Sequence, residues 1–245
     1  MAQKQSNITL TKLVPSIITL VALCLGLISI RYALDEKFQI AASLIIIAGI
    51  LDGLDGRIAR FLNTVSEFGA QIDSLADLVN FGIAPGILMY LWILDDIEYK
   101  GLGWGFVLLF VCSATIRLAR FNAELSEAPT SKQEKNFISG LPMPAAAALI
   151  ILPLLYSFEL FENFRFNAYA IAIYMLIPSF LMISRVPIFT GKGLVISNTA
   201  VPPVTVFICL TIAGCILEPW LFIPILLTML WLLVPLSVVL YRKMK

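Results

Sequence analysis

Long apolar runs, each near the length a bilayer demands, alternate with short polar connections along almost the whole chain. A hydrocarbon core is crossed by about 20 consecutive apolar residues in a helix. On that ruler the pattern predicts eight transmembrane helices, near 13–33, 38–60, 70–94, 102–122, 138–158, 167–189, 199–217 and 219–241. The longest polar connection, from about Ala123 to Phe137 (AELSEAPTSKQEKNF), is too short to fold alone, and no internal repeat interrupts the pattern. The expectation is an all-α polytopic membrane protein with one integral membrane domain over residues 1–245.

Charge then orients the bundle. An even number of spans puts both termini on one side, where most of the basic residues fall, including Lys4, Lys12, Arg57, Arg60, Arg117, Arg120, Arg185, Lys192 and Arg242. Arg31, Lys37, Lys100 and Arg165 fall on the other. The positive-inside rule makes the richer side cytoplasmic, so the chain is expected in the cytoplasmic membrane with both termini inside. The polar start MAQKQSNITLTK leads into an apolar run without an A-x-A-like cleavage site, so the first span is expected to stay in place.

Composition narrows the chemistry. Hydrophobic residues make up 60% of the 245 residues and charged ones 13%, against about 25% charged in soluble domains. Histidine is absent, which removes Ser-His-Asp triads and His-ligated zinc. Cys24, Cys112, Cys209 and Cys215 form no CxxC pair and read as packing residues. A net charge of +1 and the lack of a basic arm argue against nucleic acid.

Against this apolar background stand Asp52, Asp55, Asp73 and Asp77, in LDGLDGRIARFLNTVSEFGAQIDSLADLVN. A carboxylate at membrane depth costs about 3 kcal/mol on insertion scales. Asp52 and Asp55 are three apart and Asp73 and Asp77 four apart, so each pair projects from one helix face. The second and third spans are antiparallel neighbours, which brings the four to one level near the cytoplasmic end. Four like charges so placed cannot all ionise without cations between them, and an all-oxygen donor set suits magnesium, manganese or calcium rather than zinc. Gly56, Ala59 and Gly69 leave room beside them, and Arg60 offers a permanent cation for a phosphate. Two other readings stay open: capping or pairing with Arg57 and Arg60, and a cation or proton path through a transporter.

The motif DxxDGxxARx8GxxxDxxxD, running from Asp52 to Asp77, resembles the signature of the CDP-alcohol phosphotransferase family at every fixed position. The resemblance implies a six-helix core, here about residues 1–190, with the helices near 199–241 as an addition. It further implies that Asp52, Asp55, Asp73 and Asp77 hold two divalent cations, Mg, Mn or Ca. Asp77 would also act as the catalytic base, and Gly56, Ala59, Arg60 and Gly69 would shape the CDP and phosphate pocket. Thr19 is a further nucleotide contact, although family members commonly carry Pro-Asn where this chain has Pro15-Ser16. Homodimers are implied as well.

Three more segments, DSLADLVNFGIAPG, RLARFN (Arg117 to Asn122) and SGLPMPAAAA (Ser139 to Ala148), resemble the membrane-type branch of that family that accepts serine. The implied reaction transfers phosphatidyl from CDP-diacylglycerol to L-serine, with Asn80, Arg117 and Arg120 as acceptor contacts. Glycerol 3-phosphate, inositol phosphate and choline are the alternative acceptors. Arg117 and Arg120 equally fit the positive-inside rule alone. Pro142 and Pro144 are expected to break or kink the fifth span near its cytoplasmic start.

Overall fold

A computed structural model describes residues 13–62, 64, 66–125, 137–161, 164, 166–189 and 197–244. The chain folds as an all-α polytopic membrane protein. Its helices are α1 (Val14–Leu34), α2 (Phe38–Phe61), α3 (Glu67–Asp77) running through a π-helical segment (Leu78–Ile83) into α4 (Ala84–Trp92), α5 (Lys100–Leu125), α6 (Met143–Ser157), α7 (Ala168–Ile183), α8 (Val201–Leu217) and α9 (Pro219–Met244). With α3, the π segment and α4 counted as one span, the eight expected spans are present. α1, α2, the α3–α4 span and the 101–123 part of α5 are each long and apolar enough to cross a bilayer, and four shorter apolar helices follow.

The distribution of side chains is that of a protein solvated by lipid. On α1 the buried face is Pro15, Thr19, Ala22, Gly26, Ser29 and Ala33, while Ile17, Leu20, Val21, Leu27 and Ile28 point outward. Spacings of three and four put these small residues on one stripe, and small stripes let helix backbones approach where no hydrophobic effect drives them together. α2 answers with Ala41, Ala42 and Ala48, and the two helices pack along their length. Their tight turn puts Glu36 at φ 59° and ties the Lys37 amide to the Tyr32 carbonyl at 3.0 Å.

Several boundaries differ from those the hydrophobic pattern predicts. The third span begins at Glu67 rather than near 70, because Ser66 caps it: its Oγ accepts the Gly69 amide at 3.1 Å. That span also carries the π segment. Pro85 follows closely, has no N–H for the Phe81 carbonyl and crowds it with its ring, and a widened turn just before proline accommodates both. The fifth span starts at Met143, not 138, with Pro142 as its N-cap and Pro144 in its first turn. The residues before it pair instead as a short antiparallel ribbon, Phe137–Ser139 (β1) with Pro187–Phe189 (β2), which also truncates the sixth span at Ile183. Gly140 closes this crossing at φ +76°, where an added Cβ would lie 2.7 Å from the Ser184 carbonyl oxygen.

α6 forms the centre of the bundle, with Ala146, Ala147, Leu149, Ile150, Ile151, Leu154 and Leu155 all buried. Pro153 within it leaves the Leu149 carbonyl without its usual intrahelical donor. The Tyr174 hydroxyl on α7 donates to that carbonyl at 2.7 Å, as a backbone shielded from water requires. α9 packs on α6 through a 2.7 Å hydrogen bond between the Tyr156 and Thr228 hydroxyls and through Phe158 and Trp220, whose ring centroids are 4.8 Å apart. α8 stands at the periphery, with Gly214 as its one buried residue, set against Phe222 of α9.

The proline and tyrosine on neighbouring helices should therefore be energetically coupled. Tyr174→Phe is expected to lower stability in detergent by about 1 kcal/mol, and to cost less in a Pro153→Ala background, where an amide at position 153 can serve Leu149. Unfolding of the two singles and the double checks this, and an equal cost in both backgrounds would refute the pairing.

Candidate active site

The C-terminal half of α2 and the start of the third span converge on the aspartates. One carboxylate oxygen each from Asp52, Asp55 and Asp73 lies within 4.8 Å of the others. Asp55 is 4% exposed, and the Thr19 hydroxyl of α1 donates to its Oδ2 at 2.5 Å. Asp77, one turn beyond Asp73, joins the group through Asp52, with the two carboxyls within hydrogen-bonding reach. The Asp77 Oδ1 atom is buried with no hydrogen-bond partner.

These carboxylates are not balanced by the nearby arginines. Among the described residues no Lys or Arg forms a salt bridge with any of the four. Arg60 directs its Nε to the Gly56 carbonyl at 3.0 Å, so pairing with the carboxylates does not explain them. Clustered acids without a cationic side chain are an all-oxygen donor set that fits a hard divalent metal ion. Asp52, Asp55 and Asp73 could hold one between them.

Beside the acids opens a cavity of about 370 Å³. Pro15, Ser16 and Thr19 line it from α1, Asp55, Gly56, Ala59 and Arg60 from α2, and Gly69, Ala70 and Asp73 from α3, with Thr64 and Ser66 between the helices. All five positions expected to shape a phosphate and nucleotide pocket, Thr19, Gly56, Ala59, Arg60 and Gly69, therefore line one cavity. A Cβ at Gly56 would project into open space, whereas one at Gly69 would lie 3.1 Å from Ser66 Oγ. Sequence reasoning missed Thr64, Ser66 and Ala70 and left Ser16 aside. The serine three residues before Gly69 is an N-cap signal that could have found Ser66.

The three expected acceptor residues lie outside this lining. Asn80 sits in the π segment, 0% exposed, with neither amide atom partnered. It fills the slot left by Gly26, where an added Cβ would fall 2.1 Å from Asn80 Oδ1. Arg117 is 7% exposed; its Nε donates to the Leu141 carbonyl at 2.9 Å and its guanidinium lies 5.1 Å from the Phe121 ring centroid. Arg120 donates to the Ile183 carbonyl at 2.8 Å. Arg120 thus serves a carbonyl in the last turn of α7, where helix carbonyls lack an intrahelical donor, and Arg117 serves the carbonyl of the extended residue that leads into α6.

Residues 12–183 match the family model of CDP-alcohol phosphatidyltransferases, and the chain belongs to that family. The match ends with α7, so α8 and α9 lie beyond it. Among the relatives is the CDP-diacylglycerol–serine O-phosphatidyltransferase of Mycobacterium leprae, 37% identical over 217 residues, which are 86% of this chain and 70% of that protein. The Bacillus subtilis protein of the same name is 34% identical over 174 residues, 71% of this chain and 88% of its own. That of Helicobacter pylori is 41% identical over 140 residues, 57% of this chain and 56% of the relative.

The contact between Asn80 and Gly26 offers a direct probe of the helix packing behind the site. Gly26→Ala should displace Asn80 and separate α1 from the third span, lowering stability by about 1–3 kcal/mol as overpacking does. Thermal unfolding of the purified variant measures it.

Proposed function

We propose that this chain transfers the phosphatidyl group of CDP-diacylglycerol to L-serine, giving phosphatidylserine and CMP. The observation that carries the reading is the meeting of Asp52, Asp55 and Asp73 beside a cavity walled by Gly56, Ala59, Gly69 and Arg60. The names of its relatives supply the substrates. Asp52, Asp55, Asp73 and Asp77 would hold two divalent cations, magnesium or manganese, and these supply neutralising charge for the diphosphate and the departing CMP.

The protein's own groups do the rest. Arg60 faces the cavity as the phosphate's permanent cation, and the missing side chains at Gly56 and Gly69 give the diphosphate room against the helices. Ser16, Thr64 and Ser66 offer hydroxyls to the ribose and base. Thr19 fixes the orientation of Asp55. The unpartnered Oδ1 of Asp77 takes the proton of the serine hydroxyl as its oxygen attacks phosphorus, and the bond to CMP breaks in line with the bond that forms. Asn80, one turn beyond Asp77 with neither amide atom partnered, would meet the amino acid by leaving the slot at Gly26, and Arg117 and Arg120 of α5 would be the further acceptor contacts once released from their backbone carbonyls. One catalytic domain, inserted in the cytoplasmic membrane with its site on the cytoplasmic face and associated as a homodimer, completes the reading.

Purified protein given CDP-diacylglycerol, L-serine and Mg²⁺ or Mn²⁺ should release CMP and phosphatidylserine in equal amounts, and none after chelation of the metal. Asp73→Asn and Asp77→Asn should each reduce the rate by about 100-fold or more. Consumption of glycerol 3-phosphate, inositol phosphate or choline in place of serine would reassign the acceptor. Ion flux into sealed vesicles that depends on Asp73 and Asp77 but releases no CMP would place the chain among transporters instead. For orientation, a fluorescent protein fused after Lys245 should be bright and a fused alkaline phosphatase inactive.

A further inference from the structure

Of the helices around the carboxylates, α3 is the least secured by packing. Ala76 is its one buried residue, so apolar contact does little to fix the turn that carries Asp73. On one side α3 leans on α1. On the other, α5 packs along the π segment and α4 and reaches α3 through a polar pair. Asn122 Nδ2 donates to Ser74 Oγ at 3.0 Å, and Ser74 Oγ lies 3.3 Å from Asn122 Oδ1 and 3.0 Å from the Ala70 carbonyl. Ser74 directly follows Asp73, and the turn from Ala70 to Ser74 encloses that aspartate.

We infer that Ser74 and Asn122 are a latch that positions Asp73 for cation binding, resting on the metal reading of the cluster given above. Ligand distances to a divalent ion hold to about 0.2 Å, while α2 and α3 meet at this level with little apolar packing to keep them in register. A tie from α3 to α5 supplies that register from outside. α5 is a firm anchor at this level because Arg117 and Arg120 bind its end to the Leu141 and Ile183 carbonyls. One face of α5 therefore grips α6 and α7, and Asn122 hands the resulting rigidity to the helix that bears Asp73. Both latch residues act through Asp73 and touch no substrate.

The test uses full-length protein in detergent and Mn²⁺ binding, followed by the paramagnetic resonance of the free ion. Ser74→Ala and Asn122→Ala should each weaken Mn²⁺ by about fivefold, and the double variant should be no weaker than either single, the signature of two residues acting as one unit. Ser74→Thr, which keeps the hydroxyl, should bind as the unaltered protein does, and thermal unfolding of the alanine variants should stay close to it. Unchanged Mn²⁺ affinity in either single variant overturns the latch, as do losses that multiply in the double. A change confined to the KM for serine in Asn122→Ala also overturns it, by placing Asn122 at the acceptor. Protein that binds Mn²⁺ yet releases no CMP with serine sinks the proposed reaction and leaves the latch decided by the Mn²⁺ series.

Discussion

Carboxylates that share one level of a membrane-embedded bundle repel one another across a medium that screens them poorly. Helices do not hold such groups together unless packing elsewhere compels it. In this chain the compulsion comes from small residues. The stripe from Thr19 to Ala33 on α1, the alanines of α2 and the slot at Gly26 let three helix backbones approach closely, and that approach carries Asp52, Asp55 and Asp73 into one another's reach. Everything proposed about function depends on this forced proximity, because it creates a site with an appetite for cations and a cavity beside it where a charged group can lie.

The polar connections at the end of the bundle nearest the aspartates complement that arrangement. Arg117 and Arg120, the Gly140 turn and the β1–β2 ribbon knit the ends of α5, α6 and α7 by backbone acceptors. The bundle thus has two kinds of order: close apolar packing along α1, α2 and α6, and a hydrogen-bonded rim. The aspartates sit where the first gives way to the second, which suits a reaction between a lipid-bound donor and an acceptor soluble in water.

Much of this was legible in the residues themselves. Spans declare themselves by length and hydropathy, and the aspartates by their misfit with the surroundings, so the helices and the acidic cluster follow from pattern alone. Gly56, Ala59, Arg60 and Gly69 were readable because a motif fixes their spacing. The remainder depends on partners distant in sequence. Nothing local announces that Arg117 will serve the Leu141 carbonyl, that Asn80 will fill the slot at Gly26, or that Ser16 will share a cavity with Thr64. Helix limits moved wherever a cap or a pairing outweighed hydropathy, as at Ser66 and along Phe137–Ser139.

The π segment gives the third span a property that a regular helix would lack. An inserted residue in a helix offsets everything beyond it by about 100°. Below Leu78 the span aims its carboxylates at α1 and α2; above it, Gly82 and Gly86 face α5, where added Cβ atoms would lie 3.3 Å from Ala114 Cβ and 3.2 Å from Val107 Cγ1. The segment works as a phase adjuster between a reactive face and a packing face on one continuous rod. Losing a single residue between Leu78 and Ile83 would restore a regular helix and, in doing so, turn the acids away from their neighbours or the glycines away from α5.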